Sequence, residues 1–410
     1  MTASRAERNQ DGRDQGKRNQ RRTFAGIGYA FVVVMAGTTL PTPLYPLYRS
    51  SFGLSALMVT IVYAAYAVGV LAALLGFGQA SDRIGRKRAL LPGLAMSAAS
   101  AVVFLLAGGL PALFVGRVIS GLSAGIFTGT ATATLLDLAP GGRRHRAAEV
   151  ATLVNIGGLG LGPLLAGAVS EYVGWPLRTT FVVDLILLVP AVIAVAVMPE
   201  PVTDRTPYRF QITSLRVPAG GLSTFVRASV AGFAGFVVMG LFSAVVPTAL
   251  GELMGEHNRA IIGVVVFVIF AASLAGQQLT PYVGPDRALP VGCAILIAGM
   301  AVLAGALGWK SLLLLIVAAV VAGVGQGMAF RAGLAAVGAL APPESRAAVT
   351  SAFFVVLYIA LSIPVVAVGF AARSYGVRDA GLVTCAAVAL LAAAAAASLA
   401  RPRRTAPVLD

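Results

Sequence analysis

Charge is what this sequence lacks most. Asp, Glu, Lys and Arg make up 11% of its 410 residues, where a water-soluble domain carries about 25%. Water is therefore not the main solvent of this chain. Cysteine and histidine are nearly absent as well. Cys293 and Cys385 lie in apolar stretches and imply neither a disulfide framework nor a metal site. His145 and His257 stand alone, and no cluster suggests zinc, haem or a nucleophile with its base, which argues against an intramembrane enzyme. Lysine occurs only at 17, 87 and 310, so arginine supplies most of the net charge of +15. Segments of about ten alternating residues, the mark of a membrane β-barrel, are missing too.

What is there is apolar. Hydrophobic residues reach 58%, in runs of the roughly 20 residues that cross a bilayer as a helix. Twelve spans are predicted, at about 25–48, 57–80, 88–108, 111–138, 147–170, 176–198, 226–250, 260–280, 288–307, 311–340, 346–370 and 379–400. The fold class is an all-α membrane protein. Residues 1–23 are polar, hold no signal-peptide core, and are expected to form a disordered cytoplasmic tail. The polar stretch 199–225 splits the chain into six-helix bundles over 24–198 and 226–400, with a second tail at 401–410.

Basic residues fix the orientation. With the N-terminus inside, 23 of the 31 Lys and Arg fall on cytoplasmic segments and six outside, leaving Arg117 and Arg331 within spans. Such asymmetry places both termini in the cytoplasm of the inner membrane. It also absorbs the positive charge, so no nucleic-acid partner is implied. The halves repeat at an offset of about 200 residues. LAPGGRRHRAAEV follows span 4 and LAPPESRAAV follows span 10; each then enters a span with a central proline, Pro163 or Pro364. Repeated halves point to a secondary transporter with its substrate site between them.

The densest charge sits between spans 2 and 3, in GQASDRIGRKR (78–88). Four bases hold a short loop inside, but that role leaves Asp82, Gly78 and Gly85 unexplained. Asp82 ends span 2, where it could face a helix N-terminus, whose free N–H groups favour an anion. Gly78 lets helices approach closely, and Gly85 permits a tight turn. Arg83, Arg86 and Lys87 could pair with Asp82 or with Asp137 at the end of span 4. Gly78-x-x-x-Asp82-Arg83-x-Gly85-Arg86-Lys87 resembles the loop signature of the major facilitator superfamily. The twelve spans and duplicated halves extend that resemblance over nearly the whole chain. It implies a cytoplasmic gate made of these residues, with Asp82 set against the start of span 11, near Arg346. The second-half loop, GQQLTPYVGPDR (276–287), keeps Gly276 but has no Asp four residues on, so the gate is expected to be asymmetric.

Span 5 carries Gly158-x-x-x-Gly162-Pro163-x-x-Ala166-Gly167, which resembles the signature of drug:proton exporters within that superfamily, with Ala166 replacing one glycine. Ordinary small-residue packing around a kink is the plainer account. Arg117 in span 4 stands where family members carry an Arg tied to proton coupling or to holding the helix. Asp184 in span 6, among Val, Leu and Ile, is the clearest acid within a span. It suits a proton carrier or, equally, a structural acid. The family resemblance supplies no central acid in span 1 here, a departure from well-known drug antiporters.

Span 1 breaks up over AGTTLPTPLYPLY, where prolines free carbonyls that only a cavity or a neighbouring helix can satisfy. Thr38, Thr39, Thr42 and Tyr45 are therefore the first cavity candidates. Span position adds Tyr63, Tyr66, Asn155, Phe236, Met239, Gln277, Gln326, Phe353, Phe354 and Tyr358. Together they describe an apolar, aromatic pocket suited to hydrophobic or amphiphilic substrates. The expected function is export of such compounds, drugs or natural products, in exchange for protons. The alternative is an importer or facilitator of a small metabolite; a non-transporting membrane sensor is a third. The partners expected are a small-molecule substrate, protons and the lipid bilayer. The chain should act as a monomer with no cofactor beyond the proton gradient.

Overall fold

In hydrocarbon no water can answer a backbone N–H or C=O, so a spanning chain must bond within itself. Ala, Leu, Val and Gly repeated for 20 residues at a time leave the α-helix as the structure that does so. A computed structural model describes residues 2–78, 80–203 and 215–400, and among them there are helices and no strands. The centre of the expected interdomain loop, 204–214, and the expected tail, 401–410, lie outside the described residues.

The first span is α1 (Thr2–Thr39), a 3-10 turn at Thr42–Leu44 and α2 (Tyr45–Phe52). Its break at Pro41 falls where the prolines of span 1 predict it. At the other end α1 begins at Thr2, within the stretch expected as a tail. The polar stretch contains no proline and holds six Arg and three Gln, which are good helix formers, so it can prolong the helix it precedes. Then come α3 (Ala56–Phe77), the short α4 (Ala80–Ile84), α5 (Arg86–Leu105), α6 (Leu110–Asp137), α7 (Arg144–Tyr172) and α8 (Pro176–Val197). The second half holds α9 (Leu222–Gly240), one π-helical turn at Leu241–Val245, α10 (Val246–Met254), α11 (Arg259–Val283), α12 (Pro285–Trp309), α13 (Leu312–Gly338) and α14 (Pro343–Ala400).

Eleven of these segments are long and apolar enough to cross a membrane. The last, Ser345–Leu399, has 55 residues, about 80 Å of helix against a core of roughly 30 Å. Gly376, at φ 83° and ψ 159°, breaks it into two. The twelve expected spans are thus recovered. The π turn precedes Pro247, whose missing N–H removes one rung of the ladder; such bulges widen a helix locally.

The chain divides into two units. The first comprises 1–54, 65–213 and 258–267, the second 55–64, 214–257 and 268–410. In the first, α3 and α6 touch backbone to backbone. A Cβ on Gly69 would strike the carbonyl of Val118, and one on Gly121 that of Tyr66. Ser123 donates from α6 to the Gly93 carbonyl of α5 at 2.7 Å, and Ser100 from α5 to Gly116 at 2.9 Å. In the second unit α12 lies as close to α13, with a Cβ on Gly299 only 2.6 Å from the Ala322 Cα. Small residues take the place that the hydrophobic effect holds in water, because lipid tails are as apolar as leucine.

This packing makes a direct forecast. Gly121→Val must push α3 away from α6 and should cost about 1–3 kcal/mol or more. In detergent, melting temperature and the monodisperse fraction should both fall. Gly129→Ala, on the same helix with nothing within 4 Å of its added methyl, should leave both unchanged or slightly higher.

Candidate functional site

The charged loop closes around an arginine. Arg86 opens α5, and its side chain is 10% exposed. Its Nε donates to Asp137 at the end of α6 at 3.0 Å, and its Nη1 to Ser81 at 2.8 Å and to Asp82. Arg144 reaches the other Asp137 oxygen at 3.9 Å. Arg86 therefore joins the two acids that flank it. Asp82 itself has a side chain 60% exposed, and Gly78 and Arg83 lie at the surface or half-buried.

A carboxylate does sit on a helix N-terminus here, but it is Glu200. The backbone N–H of Arg86 donates to its Oε1 at 2.7 Å and that of Lys87 to its Oε2 at 3.1 Å. Two of the four orphan donors of α5 are thereby satisfied by an anion, in the orientation that the helix dipole favours. Gly85 makes this possible twice over. Its φ of 106° is open to glycine, and a Cβ would lie 2.6 Å from Glu200 Oε2. Sequence reasoning missed Glu200. The signal was an acid between two prolines directly after span 6.

The break in span 1 is the second site. Pro163 in α7 cannot donate to the carbonyl of Leu159, four residues back. Thr39 of α1 does so instead: its Oγ1 donates to Leu159 O at 2.9 Å, with its own helix's Ala36 O at 3.1 Å as the other acceptor. The contact is close because Gly158 and Gly162 carry no side chain. A Cβ on Gly158 would lie 2.7 Å from Met35 Cβ, and one on Gly162 would strike Thr39 Oγ1. Pro163 and Gly167 face the start of α11, where Gly263 and Arg259 abut them. Glu171, one turn on, accepts from Arg259 Nε at 2.7 Å and from its backbone N–H at 3.0 Å.

Where α1 ends, its last carbonyls are unpaired by geometry. Arg117, 3% exposed, donates to one of them, Thr38 O, at 2.6 Å. The negative end of a helix favours a cation. The guanidinium also lies 4.7 Å from the centre of the Tyr66 ring. Arg117 is thus bound to backbone and an aromatic face. Tyr45 and Thr42 are buried in the turn that follows the break. Asp184 of α8 lies against Gly37, whose added Cβ would be 3.1 and 3.2 Å from the two carboxyl oxygens. It is 3% exposed, and among the described residues it has no hydrogen bond or ion pair.

The second unit gathers other candidates. Phe236 and Phe354 meet through Phe330, at 5.5 and 6.2 Å between ring centres, and Phe353 adjoins Phe354 at 6.4 Å. Phe330 was not foreseen. Gln326 accepts from Ser273 at 2.6 Å. The amide nitrogen of Gln277 is buried without a hydrogen-bond partner among the described residues, while its backbone carbonyl accepts from Arg331 at 2.7 Å. Met239 and Tyr63 are buried in this unit, Tyr358 is half-buried in it, and Asn155 is half-buried in the first.

A family model described as Major Facilitator Superfamily matches residues 27–364. A tetracenomycin C resistance and export protein of Streptomyces glaucescens is 21% identical over 58% of this chain and 44% of its own. The riboflavin transporter RibZ of Clostridioides difficile is 24% identical over 42% of this chain and 37% of its own. The chain spans about half the length, or less, of the curated relatives it matches. Among solved structures, a bacterial homologue of the human lysosomal transporter Spinster, inward-facing and unoccupied, superimposes with a TM-score of 0.67 at 17% identity, covering 93% of this chain and 94% of the other.

The pairing of Thr39 with the carbonyl freed by Pro163 can be isolated. Thr39→Val leaves that carbonyl buried and unanswered, at a cost of about 1–3 kcal/mol. Pro163→Ala restores the N–H that Leu159 lacks. Thermal unfolding of the double variant should therefore show a smaller loss than the sum of the single ones; strict additivity would show that the hydrogen bond carries no weight.

Proposed function

Because the chain belongs to the Major Facilitator Superfamily, we propose that it exports small hydrophobic or amphiphilic molecules in exchange for protons, by alternating access. It does so from the inner membrane with both termini in the cytoplasm, as a monomer, without a cofactor. The observation that carries this reading is Asp184, a carboxyl sealed beside the break in span 1 with no partner among the described residues. An unpaired charge in hydrocarbon costs several kcal/mol, so a lone carboxyl at this place is suited to exchanging a proton when water or a cation reaches it. Arg117 sets the shape of the break on which Asp184 rests.

Direction is supported by α7. Its Gly158 and Gly162 lie directly on α1, and the Gly158-x-x-x-Gly162-Pro163 run resembles an exporter signature. One relative is named for resistance and export, another only as a transporter. The phenylalanine cluster and the Gln277 and Gln326 amides favour a mainly apolar ligand with one or two hydrogen-bonding groups. The loop clamp of Asp82, Arg86 and Asp137 serves as the cytoplasmic latch.

Three measurements test this. Expression should raise resistance to a panel of amphiphilic toxic compounds, and a protonophore should abolish that gain; restored uptake of a nutrient with no change in resistance would support import instead. In proteoliposomes Asp184→Asn should abolish proton release on substrate addition while substrate binding persists. Full coupling in that variant would remove Asp184 from the mechanism. Asp82→Asn should lower transport at equal surface level by loosening the latch.

A further inference from the structure

Where α1 passes the turn between α6 and α7, a cavity of about 680 Å³ opens at the polar ends of the helices. Its volume is within the range of small-molecule sites, roughly 300–1,000 Å³. Three arginines line it: Arg21 from α1, Arg143 from the turn and Arg146 from the first turn of α7. All three are exposed. Among the described residues no acid lines the cavity and no carboxylate pairs with any of the three. Beside the turn, Arg144 reaches Asp137, and His145 lies 3.3 Å from Glu149. The floor is apolar, formed by Phe24, Ala147 and Val150.

Three guanidinium groups in one cavity repel each other unless an anion sits among them. The backbone adds to the attraction, since α7 begins without a side-chain cap on its first N–H groups. We propose that this cavity binds the phosphodiester headgroup of an anionic phospholipid, with the lipid's glycerol and upper acyl carbons over Phe24 and Val150. Guanidinium is the side chain whose geometry matches phosphate oxygens in pairs. Position decides between a lipid and a soluble anion. Phe24 begins the apolar run of α1 and Ala147 that of α7, so the cavity straddles the boundary where headgroups lie. Basic pockets between spans at that depth suit anionic headgroups. This site is independent of the substrate and of the direction of transport.

The test uses the full chain purified in mixed micelles of phosphatidylglycerol and phosphatidylcholine, with native mass spectrometry counting the lipids retained. The wild type should retain phosphatidylglycerol in preference. Each arginine removed should weaken it about five-fold, and Arg21→Gln with Arg143→Gln and Arg146→Gln on the order of 100-fold. The triple Lys variant, which keeps charge but not paired hydrogen bonds, should fall between; it also carries the test if the triple Gln variant does not fold. Arg287→Gln with Arg346→Gln, basic residues of other loops, should change nothing. Equal retention by the triple Gln variant would overturn the proposal, as would an equal loss in the control. Displacement of phosphatidylglycerol by excess inorganic phosphate would reassign the cavity to a soluble anion and overturn the lipid.

Discussion

A helix in hydrocarbon can lose a hydrogen bond only if another group of the protein takes it over, and the first unit is organised around two such losses. Pro163 removes the donor for Leu159, and the break after Thr39 leaves the last carbonyls of α1 open. Thr39 answers the first across the gap to α7, and Arg117 answers the second from α6. The two repairs involve adjacent residues of α1, so three helices are tied to one irregular point. The close glycine contacts of α7 then read as a requirement of that hydrogen bond: Thr39 reaches Leu159 only because Gly158 and Gly162 let the backbones approach. Asp184 borders the same point through Gly37.

The charged loop works on a different balance. Arg86 is nearly buried and joins two acids, while Glu200 binds the backbone beneath it. Removing Arg86 would leave Asp137 facing Arg144 alone and Asp82 with solvent. A cation among three polar partners on one side and a carboxylate on a helix end on the other form one continuous network, with Gly85 as the point where it crosses the chain.

The span count, the break in the first helix and the repeat of the halves were legible in the sequence because each depends on composition and on proline, which act locally. The second loop repeats the turn of the first: Gly284, at φ 86° and ψ 154°, starts α12 with nearly the backbone of Gly85, at φ 106° and ψ 150°. Its conformation persists although Pro285 and Asp286 replace the bases. What the sequence hid was pairing at a distance. Thr39 and Leu159 are separated by 120 residues, and nothing in either neighbourhood marks the partner. Glu200 reads in sequence as part of a polar linker, 114 residues from the helix end that it binds. Phe330 joins Phe236 to Phe354 from a helix whose pattern is evenly apolar, so no periodicity set it apart.

The clamp on α5 also imposes an order in time. Glu200 lies 114 residues after Arg86, and at 5–20 residues per second a ribosome needs on the order of 10 s to make that interval. Until then the N-terminus of α5 stands at the membrane surface with its donors bound only to water, and Arg86 has no partner on its backbone side. The first six spans can be inserted one by one, but the loop closes only when the sixth has been made. A carboxylate placed just beyond the sixth span thus marks completion, closing the end of α5 only after the spans it joins have all been made.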